Sequence, residues 1–362
     1  MTEQDQRTKH SVKAFFRKGE NAENDGAGET ASFLKTAGLL WGKFKLFLTT
    51  DAEAAACAKN EIVSFVVKWW HWVLGGVFAF MVLYYPAGAL LYNRIDLNPR
   101  FGETADADDR TRALDTMAGL IVRETEKNVY TPNLPFFFPT SVLDNMPSFQ
   151  TGVMRGVHAV LSAFSQAQGA PEPLERAAAA AGYPADVWHI DGWKPAVSSV
   201  KKYHAAKNLI SAYTGDVEKG TVPFDASPAA LKTVLSGIVR DMRDAVATLD
   251  VRIAKGDKKM FDTLADDDFY TVKGRIYVYF LTVRDLKSDF KDVFSNEAVA
   301  GEWKTAMDAL KKALAIQPMF VVNGSAETQF APNHLLGLGF YLQRAETALS
   351  DMVQQIQPVE NE

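Results

Sequence analysis

Ser227–Gly256 reads SPAALKTVLSGIVRDMRDAVATLDVRIAKG, and this pattern decides the structural class. Serine before proline marks a helix start: the hydroxyl accepts from a first-turn N–H, and proline's fixed φ suits the first helical position. Leu231, Leu235, Ile238, Met242, Val246, Leu249 and Ile253 then recur every three or four residues as one apolar stripe. Lys255-Gly256 supplies a stop. The spacing predicts a helix of about 26 residues, roughly 39 Å long. So long a stripe needs partner helices within its own domain.

The next segment outward, Phe269 to Leu286, is apolar or aromatic on most faces and reads as the central, most buried helix. Asp266-Asp267-Asp268 stands at its expected start, where carboxylates complement the helix dipole. Further helices are predicted near 110–127, 148–168, 195–215, 267–290, 298–316 and 334–356. Val321-Val322-Asn323-Gly324 reads as a short extended piece entering a turn. There is no internal repeat and no alternation of strands with helices. The expectation is an all-α, multi-helix globular domain over residues 110–357, with 358–362 as a tail.

Ahead of that domain lies WWHWVLGGVFAFMVLYYPAGALL, Trp69–Leu91, without a single Lys, Arg, Asp or Glu. At 1.5 Å per residue it covers about 34 Å, enough for a hydrocarbon core of roughly 30 Å. Trp69, Trp70 and Trp72 at one end, and Tyr84, Tyr85 and Tyr92 towards the other, match the interfacial aromatic belts of a membrane anchor. The segment reads as one transmembrane helix of the signal-anchor kind, since tens of polar residues precede it. Flanking charge does not orient it. Lys43, Lys45, Lys59 and Lys68 precede it, and Arg94, Arg100, Arg110 and Arg112 follow.

Met1–Ala31 is polar and charged and is expected to be disordered. Residues 32–68 form a juxtamembrane segment in which Leu40, Phe44 and Phe47, with Lys35, Lys43 and Lys45 among them, suggest an interfacial helix with snorkelling lysines. Residues 92–109, with Pro99, Gly102 and an acidic cluster, read as a linker. Before the span, 10 Lys+Arg stand against 9 Asp+Glu, giving +1. The chain total of -5 leaves -6 beyond it. An acidic domain argues against nucleic acid as partner. Cys57 is the single cysteine and allows no internal disulfide.

Catalytic signatures such as HExxH, CxxC, GxSxG and GxGxxG are absent. Gly215–Thr221 (GDVEKGT) imitates a phosphate loop but has Thr221 where the lysine belongs, and reads as an inter-helix loop. The six histidines have no pair at i, i+3 or i+4, so no metal site and no cofactor is expected. Asp262 and Asp266–Asp268 are commoner as caps than as cation ligands.

Three stretches carry the candidate binding residues. In Thr131–Gly152, Phe136, Phe137 and Phe138 lie between Pro135 and Pro139, with Asp144 and Asn145 following. That loop is either packed in the core, the favoured reading, or presents an apolar contact surface. In Asp267–Arg284, Arg275 sits on an apolar helix and needs a carboxylate, a carbonyl or a ligand anion, a structural ion pair being the default. In Phe330–Arg344, Asn333 is a natural N-cap beside His334.

The strings PFFFPTSVLDNMPSFQTG, DFYTVKGRIYVYFL and VVNGSAETQFAPNHLLGLGFYLQRA, with YYPAGALLYNRIDLNP, resemble a bacterial family catalogued as domain of unknown function 2333. The resemblance runs over about Tyr84 to Met352. It implies an inner-membrane protein with a cytoplasmic N-terminus, one span and a periplasmic helical domain, and it implies no activity. The expected function is a non-catalytic envelope protein binding a partner protein or an envelope component. An envelope hydrolase acting on lipid or peptidoglycan, and a lipid-binding module, are the rivals.

Overall fold

The computed structural model describes residues 74–88, 95–103, 110–135, 137–140, 145–191, 194–255, 263–324 and 333–356, with Val63, Trp70 and Trp72 besides. The expectations for residues 1–62, for Trp69, Phe136 and Asp144, and for the tail lie outside the described residues. The chain divides into two compact units, Met1–Val82 and Leu83–Glu362. In the first, residues 74–82 are helical and their large side chains are exposed, Phe78 at 70% and Phe80 at 60%. The expected span, Trp69–Leu91, is therefore described only in part. Among the described residues no helix is long and apolar enough to cross a membrane.

The second unit is helical, as the stripes predict. It contains α1 (Arg112–Val122), α2 (Asn145–Ala167), α3 (Glu172–Ala181), α4 (Ser199–Glu218), α5 (Pro228–Lys255), α6 (Thr263–Asp289), α7 (Glu297–Ala315) and α8 (His334–Gln355). A two-stranded hairpin, β1 (Ile190–Asp191) with β2 (Lys194–Pro195), interrupts them. Ser227 caps α5 as expected, its hydroxyl accepting from the Ala230 N–H at 3.2 Å. α3 was not foreseen: AAAAA carries no stripe of large residues, though Glu172 and Glu175 favour a helix start.

α6 is the central helix. Phe269, Tyr277, Tyr279 and Leu281 are fully or almost fully buried, and its most extensive packing is against α2. Small residues let the two backbones approach, with Gly152 on α2 facing Gly274 on α6. α6 also starts a turn earlier than expected, so only Asp266 lies in its first turn. Asp267 and Asp268 serve laterally instead, accepting from Ser148 Oγ at 2.7 Å and pairing with Arg252 at 2.5 Å.

These contacts define two ends. The starts of α2 and α6 and the finish of α5 meet through Ser148, Asp267, Asp268 and Arg252. Asn323 donates to the Arg252 carbonyl at 3.2 Å, and Asn333, capping α8, donates to Asn323 at 2.9 Å, so the start of α8 joins the same end. At the opposite end, the Asp289 carboxylate closing α6 accepts from Arg112 and Ala113 N–H groups opening α1, at 3.0 and 3.1 Å.

The first part of the expected linker is docked rather than free. Ile95, Leu97 and Phe101 pack against the core. Tyr277 donates to the Asn98 carbonyl at 2.8 Å, and Arg284 to those of Pro99 and Phe101 at 2.7 and 2.8 Å. Proline and acidic residues suggested a tether. Three interspersed apolar side chains, one buried donor and one half-buried donor override that composition.

Candidate functional site

Most of the polar groups singled out from sequence are consumed in holding the fold. Arg275 is almost fully buried and meets Asp241 of α5 at 2.6 Å and Asp244 at 3.0 Å, with Tyr279 Oη 3.1 Å from its Nε. Burial alone would depress the guanidinium's pKa; Tyr279 and Asp241 more than offset that and raise it. This is the structural ion pair expected of a cation on an apolar helix. Asn333 accepts from the Leu336 N–H at 2.9 Å and donates to the Gly324 carbonyl at 2.8 Å. His334 Nδ1 accepts from the Val322 N–H at 3.0 Å, and burial lowers its pKa. Together the two side chains clamp the 321–324 piece onto α8.

Asn145 opens α2 with its amide against the Asp266 carboxylate. With the amide nitrogen on that side it donates to Oδ2 at 2.5 Å. No hydrogen bond or ion pair among the described residues joins any two of Asn145, Arg275 and His334. Each of these candidates holds a different joint of the bundle.

The phenylalanine loop departs from the favoured expectation. Phe137 is 51% exposed and Phe138 half-buried. The Phe137 ring lies 5.3 Å from that of Phe138 and 6.1 Å edge-on from Trp188, while its carbonyl accepts from Tyr84 Oη at 3.3 Å. Prolines on either side do not bury the run, because successive side chains of a loop point in different directions.

A cleft that the sequence did not suggest lies elsewhere. One turn after another of α2 lines it with Thr151, Arg155 and His158, spaced i, i+4 and i+7. The opposite wall is the chain leaving α3 through Gly182, Tyr183 and Asp186, and Tyr203 of α4 closes it. Its volume is about 490 Å³, within the range of small-molecule sites. Ser199 holds the far wall in place, its hydroxyl donating to the Pro184 and Val187 carbonyls at 2.7 and 2.8 Å. Tyr203 donates to the Tyr183 carbonyl at 2.8 Å, and burial pushes its pKa up to about 12.

The electrostatics of the cleft are simple. His158 Nδ1 lies 2.8 Å from the Ala178 carbonyl, which can only accept, so Nδ1 carries a proton and Nε2 is left facing the cleft's other groups without a hydrogen bond among the described residues. Gly182 leaves room for that ring: a β-carbon there would stand 2.8 Å from Nδ1. Arg155 is exposed and makes no hydrogen bond or ion pair among the described residues. Five guanidinium donors beside a hydrogen-bonding imidazole can hold an anionic group. Among the described residues the hydrogen-bond partner of His158 is the Ala178 carbonyl. The spacing Arg155-Gly156-Val157-His158 was the available signal. An arginine and a histidine one turn apart are equally at home on a solvated helix face, so the spacing by itself does not single out a site.

Residues 198–358 match the family described as Uncharacterized protein conserved in bacteria (DUF2333), so the resemblance read from the motifs stands. The match covers somewhat under half of the chain. It takes in Arg275, Asn333 and His334, whereas the phenylalanine loop and all of the cleft except Tyr203 precede it. No curated protein and no solved structure matches the chain.

Proposed function

We propose, starting from that match to an uncharacterized bacterial family, that the chain is a single-pass inner-membrane protein. Its N-terminus faces the cytoplasm, and its helical domain outside binds an anionic group of an envelope component without catalysing a reaction. The membrane part rests on the uncharged run Trp69–Leu91 and on the exposure of Trp72, Phe78 and Leu83, at 68%, 70% and 71%. Each such side chain left in water forgoes roughly 1.5–3 kcal/mol that a bilayer core would return. The periplasmic side comes from the family resemblance.

The binding part is carried by one observation: Arg155 stands exposed in an open cleft and makes no ion pair among the described residues, the Asp186 carboxylate of the facing wall included. An arginine that serves only packing normally has a carboxylate or carbonyl, as Arg275 has. Calorimetric titration of the full chain in mild detergent with inorganic phosphate tests it. Saturable binding that Arg155→Ala abolishes and Arg176→Ala leaves intact is the expected result. Equal heats for wild type and Arg155→Ala would remove the cleft from consideration. A hydrolase is the second reading, favoured by His158 Nε2, which has no hydrogen bond among the described residues. Turnover of a phosphate or acyl ester that is lost in His158→Ala would establish it.

A further inference from the structure

Besides Leu83, Val129, Val197, Val251 and Phe340, six exposed large apolar side chains of the second unit gather at one end. Leu264 opens α6, Leu336 lies in the first turn of α8, and Met319 and Phe320 follow α7, at 55%, 43%, 86% and 67% exposed. Phe137 precedes α2 and Ile190 lies in β1, at 51% and 57%. Contacts already described bring these segments to one end of the bundle. The start of α2 meets that of α6 through Ser148 and Asp267, and α6 meets α5 through Asp268 and Arg252. The 321–324 piece meets α5 through Asn323, and Asn133 ties the phenylalanine loop to the hairpin segment by donating to the Val187 carbonyl at 3.2 Å. At the other end Asp289 caps α1, and Trp303 donates to the Val283 carbonyl at 2.8 Å. Among the described residues that end contributes none of the exposed large apolar side chains. Apolar side chains scattered singly are ordinary on a soluble surface, whereas several gathered on one face mark an interaction surface.

One further contact says what covers them. Residues 83–88, the helical start of this unit, run into the same end. Tyr84 Oη donates to the Phe137 carbonyl at 3.3 Å, and Gly88 lies against Pro139 so closely that a β-carbon on it would stand 2.6 Å from the Pro139 oxygen. Ile95, Leu97 and Phe101 pack against the core, so six residues of sequence separate that helical turn from docked chain. The apolar end of the bundle is thus in contact with residues 83–88, which belong to the apolar run by sequence.

We infer that this end of the helical domain is a bilayer-docking face: Phe137, Ile190, Leu264, Met319, Phe320 and Leu336 rest in the interfacial layer of the membrane in which the chain is anchored. The inference relies on the membrane anchoring proposed above. The surface is apolar, with aromatic members, and Arg252 beside it is already paired with Asp268. Attraction is therefore mainly hydrophobic. Docking also fixes the orientation of the bundle, with the Asp289 end turned away from the membrane.

The test is depth-resolved fluorescence quenching of the full chain in vesicles of phosphatidylcholine, with Cys57→Ser so that one label is placed at a time. Labels go on Phe78→Cys in the apolar run, Met319→Cys at the docking end and Glu297→Cys at the opposite end. Nitroxides are carried either deep or shallow on the lipid acyl chains. Strong deep quenching at position 78 establishes the anchor, and its loss would overturn the anchoring itself. With the anchor established, docking requires the position-319 label to be quenched by shallow nitroxide several-fold more than the position-297 label. Replacing Phe320 by Asp should diminish that ratio. Equal quenching at 319 and 297, with deep quenching at 78 retained, would overturn the docking face and leave a protein partner or a second copy as its cover.

Discussion

Gly152 of α2 and Gly274 of α6 are packed backbone to backbone: a β-carbon built on Gly274 would stand 3.0 Å from the Gly152 carbonyl carbon and 2.8 Å from the Val153 nitrogen. Main chain cannot give way as a flexible side chain does. Gly274→Ala should therefore push apart the most extensive helix pair of the domain, at a cost of roughly 1–3 kcal/mol. Gly339→Ala is the contrast. Its added carbon meets only Leu249 at an ordinary 3.6 Å, and alanine is the better helix former, so stability should rise by about 0.5–1 kcal/mol. Thermal melts followed by circular dichroism decide. Gly274→Ala melting with wild type would mean that the helices separate freely.

Phe137→Ala should leave the melt within about 1 kcal/mol of wild type, because about half of the residue is already exposed. Phe149→Ala, at 0% exposure, should cost roughly 3–5 kcal/mol. The two denaturant midpoints side by side separate a surface phenylalanine from a core one. A Phe137→Ala midpoint as low as that of Phe149→Ala would return the loop to the core.

Arg275→Met removes the cation from between Asp241 and Asp244 and leaves Asp241 partly buried against Tyr279. A loss of roughly 3–5 kcal/mol is expected, and replacing Asp241 by Leu in the same chain should recover much of it. An arginine kept to bind a ligand would behave differently. Its removal would leave the denaturant midpoint unchanged, and the pair substitution would rescue nothing.

Lys273 gives the domain a specific pH dependence. Its ammonium is buried on α6, donating to the Ile316 carbonyl at the finish of α7, and burial lowers its pKa to about 8. The unfolded value is about 10.4, so between these two pH values the unfolded chain holds a proton that the folded one has released. Stability attributable to Lys273 is lowest below pH 8 and rises through that window by up to about 1.4 kcal/mol per pH unit. Tyr203 and Tyr277, each raised to about 12, act oppositely above pH 10, so the comparison must be with Lys273→Met. The wild-type deficit relative to that variant should shrink from pH 7 to pH 10. A deficit constant over that range would show a lysine that reaches water.

The sequence alone determined the class and most of the helices. A stripe such as Leu231–Ile253 buries only as a helix, and Ser227-Pro228 starts one in any context, because both signals act within a few residues. Arg275 needing a carboxylate and Asn333 capping its helix were legible for the same reason: each is a local demand of one polar group. Tertiary structure decided the rest, since every other outcome depends on residues far apart in sequence. Asp241 as the partner of Arg275, Asp289 capping a helix more than a hundred residues earlier, and the docking of Ile95–Phe101 are choices among many chemically equivalent groups. The cleft at Arg155 and His158 exists only because the chain leaving α3 passes over α2. The clustering of Phe137, Leu264, Met319 and Leu336 at one end likewise follows from the order in which helices rise and fall in the bundle. Hydrophobic burial is non-directional, so it commits a segment to the interior without naming its neighbours; only close packing of the whole chain does that.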